Sequence, residues 1–176
     1  MLHGSSPVVP NEGVKQIDFL SAIVGIRTAD ATERAVEVEL SEGAILRVLH
    51  PLDVLESRLR NLQALSSKRN PIGVAQATLA LHVVRRFIEM LLVDGEKPRN
   101  MFSAVNRVIK LVLDPRLADM AFEYDLDVLS AVPLERIHVP DFHNRQWPRV
   151  LAQLAVRREK FAKRTVRARA RKASSS

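Results

Sequence analysis

Residues 48–62 of the chain read Val48-Leu49-His50-Pro51-Leu52-Asp53-Val54-Leu55-Glu56-Ser57-Arg58-Leu59-Arg60-Asn61-Leu62. Within this segment the spacing of apolar residues changes from every second position to every third or fourth. A repeat of two is typical of a β-strand, and a repeat of about 3.6 is typical of an α-helix. Pro51 suits the first turn of a helix, because a proline there gives up no hydrogen bond. The segment therefore predicts a strand that ends near Leu49 and a helix that begins at Pro51.

A small β-sheet is predicted for the residues before this segment. Strand-forming residues dominate positions 14–20, and apolar and polar residues alternate at 35–40 and again at 44–49. Ser41-Glu42-Gly43 is a tight connection between the last two runs, which favours a β-hairpin. Positions 14–20 predict a third strand beside it.

A helical bundle is predicted for the residues after it. Apolar residues recur at every third or fourth position from Leu52 onward, and new helices are expected to begin at Pro71 and Pro98. Asp114-Pro115 is a break, and a short helix is expected after it over residues 117–124. A last helix is expected from about Trp147. Aromatic residues make up 5% of the chain, so the core has to be built from aliphatic side chains, which favours packed helices.

The pattern as a whole predicts an α+β fold, with a small β-sheet remnant of about three strands followed by a helical bundle and a basic tail. We expect three parts along the chain. Residues 1–50 are the β-rich part, residues 51–156 the helical domain, and residues 157–176 a disordered basic tail.

Composition argues against several classes of protein. The chain has no cysteine, so it forms no disulfide and offers no thiolate to a metal or a substrate. No run approaches the roughly 20 apolar residues of a membrane span. Residues 1–7 have neither the basic start nor the apolar stretch of a signal peptide. We therefore expect a cytoplasmic protein with no membrane partner.

Most of the net charge of +7 lies in one segment near the C-terminus. Glu159 is the only acidic residue between positions 157 and 172, where the basic residues are Arg157, Arg158, Lys160, Lys163, Arg164, Arg167, Arg169, Arg171 and Lys172. These nine are candidates for binding RNA or DNA through its phosphates. Phe161 is the one aromatic residue among them, which argues against recognition by base stacking. A solvated tail without a fixed partner is the alternative.

Two segments taken together resemble a known family. The first is Gln16-Ile17-Asp18-Phe19-Leu20 with Gly25-Ile26 after it, and the second is the segment 48–62 quoted above. This order of motifs resembles bacterial nucleotidyltransferase-like proteins, including the toxin-type members linked to abortive infection of phage (the AbiEii-like group). The resemblance runs from about Val14 to Leu92 and corresponds to the C-terminal portion of such a protein.

The resemblance implies a role for Asp18. Nucleotidyl transfer needs Mg²⁺ to hold the nucleoside triphosphate and to activate the attacking hydroxyl. In proteins of this kind an Asp-x-Asp pair lies on one strand, and a third carboxylate lies on a neighbouring strand. By resemblance, Asp18 is that third carboxylate, a catalytic residue and a ligand of Mg²⁺. The alternative role for Asp18 is that of an edge-strand aspartate which limits aggregation of the sheet.

The sequence also departs from the family pattern. Gly4-Ser5 is present, but no pair of carboxylates lies between it and Asp18, and seventeen residues precede Asp18. A single carboxylate does not assemble a two-metal site. We therefore expect the chain to lack the catalytic front portion, to be inactive alone, and to have an open sheet edge that a companion protein completes. Asp125-Leu126-Asp127 has the spacing of a pair, but we expect its two carboxylates on the surface near a helix end, because a helix places residues two apart on different faces.

His50 and Arg58 are the two candidate substrate-binding residues. His50 lies between a strand and a helix, where ligands often approach, although a capping or packing histidine is the alternative. Arg58 would neutralise phosphate, or it would lie on a solvated helix face. His138, Asp141 and His143 are attributed to loop polarity, since no further spaced ligand accompanies them. The alternative function for the whole chain is a small helical module that binds nucleic acid or protein through its basic tail.

Overall fold

A computed structural model describes residues 23–40, 43–93 and 98–174 and is mostly helical, with one small sheet. Its helices are α1 (Thr28–Glu33), α2 (Pro51–Ala64), α3 (Pro71–Val93), α4 (Pro98–Leu113), α5 (Pro115–Glu123) and α6 (Trp147–Ala173). Its strands are β1 (Val36–Glu39) and β2 (Ile45–Val48), which pair antiparallel. The predicted α+β class is confirmed. The third strand predicted at 14–20 lies outside the described residues.

The hairpin of β1 and β2 has one apolar face. Val36 pairs with Val48 and Val38 with Leu46, so these four side chains share a face. All four are between 38% and 50% exposed. The opposite face carries the cross-strand pair Glu37 and Arg47. The apolar face of the hairpin is therefore left open to solvent in this part of the chain.

The helix predicted to begin at Pro51 does begin there. The side chain of His50 caps it by accepting a hydrogen bond from the backbone N–H of Leu52. Leu55, Leu59 and Leu62 recur at helical spacing and are completely or almost completely buried. They pack in one core with side chains of α3, α4 and α5. The change of period in residues 48–62 thus marks the boundary between the hairpin and the bundle.

Close packing fixes the start of α3. Gly73 is buried, and a Cβ built on it would lie 2.0 Å from the carbonyl oxygen of Lys68. That oxygen belongs to a short 3₁₀ turn, Ser66–Lys68, which joins α2 to α3. Only a residue without a side chain fits such an approach of backbone to backbone.

The helix α5 follows α4 after a one-residue break at Asp114. The Asp114 carboxylate accepts hydrogen bonds from the backbone N–H groups of Arg116 and Leu117, and Pro115 occupies the first helical position. These two features start α5 two residues earlier than its apolar pattern begins.

The prediction of a disordered tail after residue 156 differs from the structure, in which α6 continues to Ala173. Alanine and arginine are strong helix formers, and neither glycine nor proline interrupts the segment after Pro148. Contacts with α5 add to this preference, as described below. No described helix is long and apolar enough to cross a membrane.

A cationic cleft and a basic helix as the candidate functional site

A cleft of about 1220 Å³ lies where α1, α2, α3 and α4 meet. Arg27, Asp30 and Arg34 line it from the side of α1. His50 and Glu56 line it from the start of α2, and Phe87 and Leu91 from the C-terminal half of α3. Seven exposed or half-buried side chains of α4 line the remaining wall, namely Arg99, Asn100, Phe102, Ser103, Asn106, Arg107 and Lys110.

The charge of the cleft is positive. Arg99, Arg107 and Lys110 are spaced at eight and three residues along α4, so they follow one face of that helix. Arg27 and Arg34 add two further cations from the side of α1. Asp30 and Glu56 are the acidic residues among the described lining, so five basic residues outnumber two acidic ones. Such a concave positive surface concentrates anions.

A buried carboxylate fixes two of these arginines. Asp53 has no solvent-exposed surface. Arg34 donates to both of its oxygens, from Nε to Oδ2 at 3.1 Å and from Nη2 to Oδ1 at 3.0 Å. Arg107 donates to Oδ1 of Asp53 and, at 3.0 Å, to Oε2 of Glu56. The carboxylate thereby holds one guanidinium from the end of α1 and one from α4 at the cleft.

The environment of Asp53 favours its ionised form. Burial alone opposes ionisation, but the hydrogen bonds and charges of Arg34 and Arg107 outweigh it and lower the pKa of Asp53. Asp53 is therefore a carboxylate at neutral pH. The same contact raises the pKa of Arg34.

His50 caps α2 and also lines the cleft. Its Nδ1 accepts the hydrogen bond from Leu52 N–H at 3.2 Å, so the neutral ring carries its proton on Nε2. Its ring lies edge-on to Phe87, with 4.9 Å between centroids. Burial lowers the pKa of His50, and the nearby Arg107 and Arg34 lower it further against the opposing effect of Asp53. At neutral pH His50 is thus an uncharged donor in a cationic cleft.

Two cations of the cleft are uncommitted. Within the described ranges, Arg99 and Lys110 are exposed and make no hydrogen bond or ion pair. Arg27 is paired with Asp30 at 2.8 Å, and Arg34 and Arg107 are held by Asp53. Arg99 and Lys110 are therefore the side chains of this wall that are ready to contact an incoming anion.

The structure does not bring Arg58 to His50. Arg58 Nη1 donates to Oε1 of Gln76 on α3 at 3.1 Å, and Arg58 does not line the cleft. The two predicted substrate-binding residues are therefore separated. Asp18, the predicted catalytic and metal-binding residue, lies outside the described residues.

The described part of the chain holds no group of three histidine, aspartate or glutamate side chains placed to bind a metal. In the cleft, Asp30 is paired with Arg27, and Glu56 is paired with Arg60 and Arg107. These carboxylates are neutralised by arginines, so the described lining does not fit a Mg²⁺ site. His143 contacts the carbonyl oxygen of Ile137 and lies in the helical turn Phe142–Gln146 that leads into α6, not in a loop as predicted.

The nine basic residues of the C-terminal segment are divided among the faces of α6. Five of them line a groove of about 510 Å³ together with Leu113 and Val156, namely Arg157, Lys160, Lys163, Arg164 and Arg167. Arg158 lies over the ring of Phe122 at 5.5 Å instead. Arg169 follows Arg167 by two positions, about 200° around the helix, and so faces away from the groove. The side chain of Lys172 lies outside the described part of the chain.

Contacts with α5 hold this basic segment against the bundle. Asp119 pairs with Arg157 at 3.5 Å and with Arg164 at 2.7 Å. Phe161 packs on Phe122, with 5.7 Å between ring centroids. Lys163 pairs with Glu159 one turn away, while Lys160 and Arg167 make no ion pair with any described residue.

Most of the cleft was missed at the sequence level. Arg27, Arg34, Arg99, Arg107 and Lys110 are spread over 84 positions and meet only in the folded chain. The spacing of the last three along one helix is a signal that was available in the sequence. The sequence gives no such signal for Asp53, because an acidic residue in the first turn of a helix is common on a solvated surface.

Comparisons of this chain with protein-family models, with curated proteins and with solved structures find no match. The case for a function therefore rests on the geometry of the cleft and of α6 and on the motifs of the sequence.

Proposed function

We propose that the cleft binds the phosphates of a nucleoside triphosphate and that the chain is a nucleotidyltransferase-like protein which does not transfer nucleotides alone. The observation that carries this proposal is the pair of uncommitted cations, Arg99 and Lys110, opposite Arg27 and Arg34. The resemblance of residues 14–92 to nucleotidyltransferase-like proteins supports it independently.

The chemistry of the lining suits a triphosphate. Arginine guanidiniums bind phosphate oxygens in pairs, and the pre-oriented Arg34 and Arg107 lose little freedom on binding. A cleft of about 1220 Å³ is large enough for a nucleotide-sized ligand. Phe87 and Phe102 supply apolar surface beside the cations, against which a base would pack.

Binding of Mg²⁺ remains a prediction that depends on Asp18. The described cleft carboxylates are paired with arginines, so we propose that these residues contribute phosphate binding and no metal ligand. With no pair of carboxylates between Gly4-Ser5 and Asp18 in the sequence, labelled nucleotide is expected not to be transferred by the chain alone. Transfer that Asp18→Ala abolishes would contradict this part of the proposal.

Isothermal titration calorimetry with ATP, GTP, CTP and UTP tests the binding proposal. Arg99→Ala/Lys110→Ala removes the two uncommitted cations, and we expect at least ~10-fold weaker binding from the loss of two charged contacts. The matched control is Lys68→Ala/Arg169→Ala, which removes one lysine and one arginine that are exposed and far from the lining. The control is expected to bind within about twofold of the wild type. Equal binding by all three proteins would refute the assignment of the cleft.

A further inference from the structure

We propose that the cleft and the groove of α6 form one continuous cationic track, which binds a nucleic-acid strand along its phosphate backbone. The inference extends the proposed function, because it takes the cleft as the place where one end of the strand lies. It adds a second ligand, a polynucleotide, and assigns it to residues outside the cleft.

One hydrogen bond and one helical spacing place the cleft beside the groove. Asn106 lines the cleft, and its Oδ1 accepts a hydrogen bond at 2.7 Å from Nε2 of Gln146, the residue before α6. Lys110 also lines the cleft, and Leu113, three residues further along α4, lines the groove. The same face of α4 therefore passes from one site to the other, and α6 starts at the border of the cleft.

The groove is positive along its length. Its five basic residues are Arg157, Lys160, Lys163, Arg164 and Arg167. Asp119 and Glu159 offset part of this charge through ion pairs with Arg157, Arg164 and Lys163. Lys160 and Arg167 have no such partner among the described residues. Unpaired cations therefore occur at both ends of the track, Arg99 and Lys110 in the cleft and Lys160 and Arg167 on α6.

The regular spacing of these cations fits a polymer of phosphates. Residues 160, 164 and 167 return to the groove once per helical turn, a repeat of about 5.4 Å along the axis. The groove carries no aromatic side chain, so it provides backbone contacts and no stacking on bases. Val150 and Phe161 face the bundle, whereas Leu151, Val156 and Val166 are exposed. These three exposed residues spread over about 140° of the helix surface, and the charged Glu159 and Arg169 lie among them, so they do not form the continuous apolar face of a membrane-surface helix.

The part of the track that lies along α6 has a definite length. From Gln146, at the border of the cleft, to Arg167 the helix rises about 32 Å at about 1.5 Å per residue. A strand in a regular helix has one phosphate per about 3.4 Å, so this part corresponds to about nine phosphates. We expect binding to strengthen with oligonucleotide length at least up to about nine or ten nucleotides, and to level off only when the strand also fills the cleft.

Fluorescence anisotropy with 5′-labelled RNA and DNA 12-mers tests the track. We expect Lys160→Ala/Arg167→Ala to bind about 10-fold more weakly than the wild type. The slope of log affinity against log salt should become shallower by about 1.4 for a single strand, about 0.7 per lost phosphate contact. The control Lys68→Ala/Arg169→Ala loses the same charge, with Arg169 on the opposite face of α6, and should stay within about twofold. An equal loss in the control would overturn the proposal.

The same variants separate this inference from the proposed function. Lys160→Ala/Arg167→Ala should keep triphosphate affinity and lose 12-mer affinity, while Arg99→Ala/Lys110→Ala should weaken both. If the affinity for the 12-mer is unchanged in Arg99→Ala/Lys110→Ala, a continuous track is refuted, even if this variant no longer binds triphosphate. If both double variants weaken binding of the 12-mer while triphosphates do not bind the wild type, the track is supported and the nucleotide site is refuted. Binding of phosphatidylserine vesicles with the same variant sensitivity, and none of either 12-mer, would overturn the nucleic-acid assignment.

Discussion

Single residues fix the geometry of the cleft, and Asp53 is the most important of them. A carboxylate with no exposed surface remains charged because Arg34 and Arg107 donate to it from two directions. Its removal leaves two guanidiniums close together with only Glu56, which pairs with Arg107, as a described counter-charge. The residue connects stability to function, since the same two arginines line the cleft.

Asp53→Asn is expected to lower the free energy of unfolding by about 3 kcal/mol, the lower end of the range for breaking a buried ion pair, because both arginines keep some solvent contact. Urea denaturation measures this loss. Asp30→Asn, which breaks the exposed pair with Arg27, is the control and should cost at most about 1 kcal/mol. Similar small losses in both variants would show that Asp53 is not the support of the cleft.

His50 predicts a pH dependence of stability. Its pKa is lowered in the folded chain, so below the ordinary value of 6.5 the unfolded chain binds the proton more readily. The free energy of unfolding should therefore fall as the pH decreases from about 7 to 5. His50→Asn retains a capping acceptor and removes the titration. Urea denaturation across this range should give a shallower slope for His50→Asn, and identical slopes would contradict the prediction.

At the scale of elements, the spacing of apolar residues predicted those helices and strands whose formation depends on local packing. The starts of α2, α3 and α4 follow from prolines and from spacing, and the hairpin follows from strict alternation. The segment after residue 156 was assigned to disorder because nine cations without an apolar stripe are typical of it. Asp119 and Phe122 lie some 40 residues earlier and hold that segment as a helix, and this long-range contact is not visible in local sequence.

Asp119→Asn should loosen the C-terminal half of α6. The variant weakens the ion pairs with Arg157 and Arg164, while the cost in overall stability stays below about 1 kcal/mol because the pairs are partly exposed. Hydrogen exchange should accelerate at residues 157–173 and remain unchanged in α2 and α3. Glu159→Gln, which breaks a pair within α6, is the control. Unchanged exchange in Asp119→Asn would show that α5 does not hold this segment.

The open face of the hairpin leads to a prediction about association. Leu46 lies on the apolar face and is 50% exposed, so Leu46→Lys should leave stability within about 0.5 kcal/mol. It should also raise the concentration at which light scattering detects association, since exposed sheet surfaces aggregate. Ile45→Lys, on the opposite face, is the control. Unfolding by Leu46→Lys would mean that this face is covered within the folded chain and would contradict an open apolar face.

At the scale of the whole molecule, the cleft forms because segments that are far apart in the sequence pack together. His50 was identified from its position between a strand and a helix, and it does line the cleft. Arg27 and Arg34 were not identified, because nothing local distinguishes them from the other basic residues of the chain. The spacing of Arg99, Arg107 and Lys110 indicates one face of α4 but not what that face lines. Their common position depends on how α1 and α4 pack beside the start of α2. The α+β class was predictable from periodicity, whereas the cleft required the tertiary structure.

The most direct test of nucleotide binding in the cleft is photo-crosslinking with an azido-ATP analogue, followed by mapping of the labelled peptides. We predict label on peptides that contain residues 27–34 or 99–110. Unlabelled triphosphate should compete with this label, and Arg99→Ala/Lys110→Ala should lose it while Lys68→Ala/Arg169→Ala keeps it. Label confined to other parts of the chain, or label that unlabelled triphosphate does not displace, would contradict a nucleotide site in the cleft.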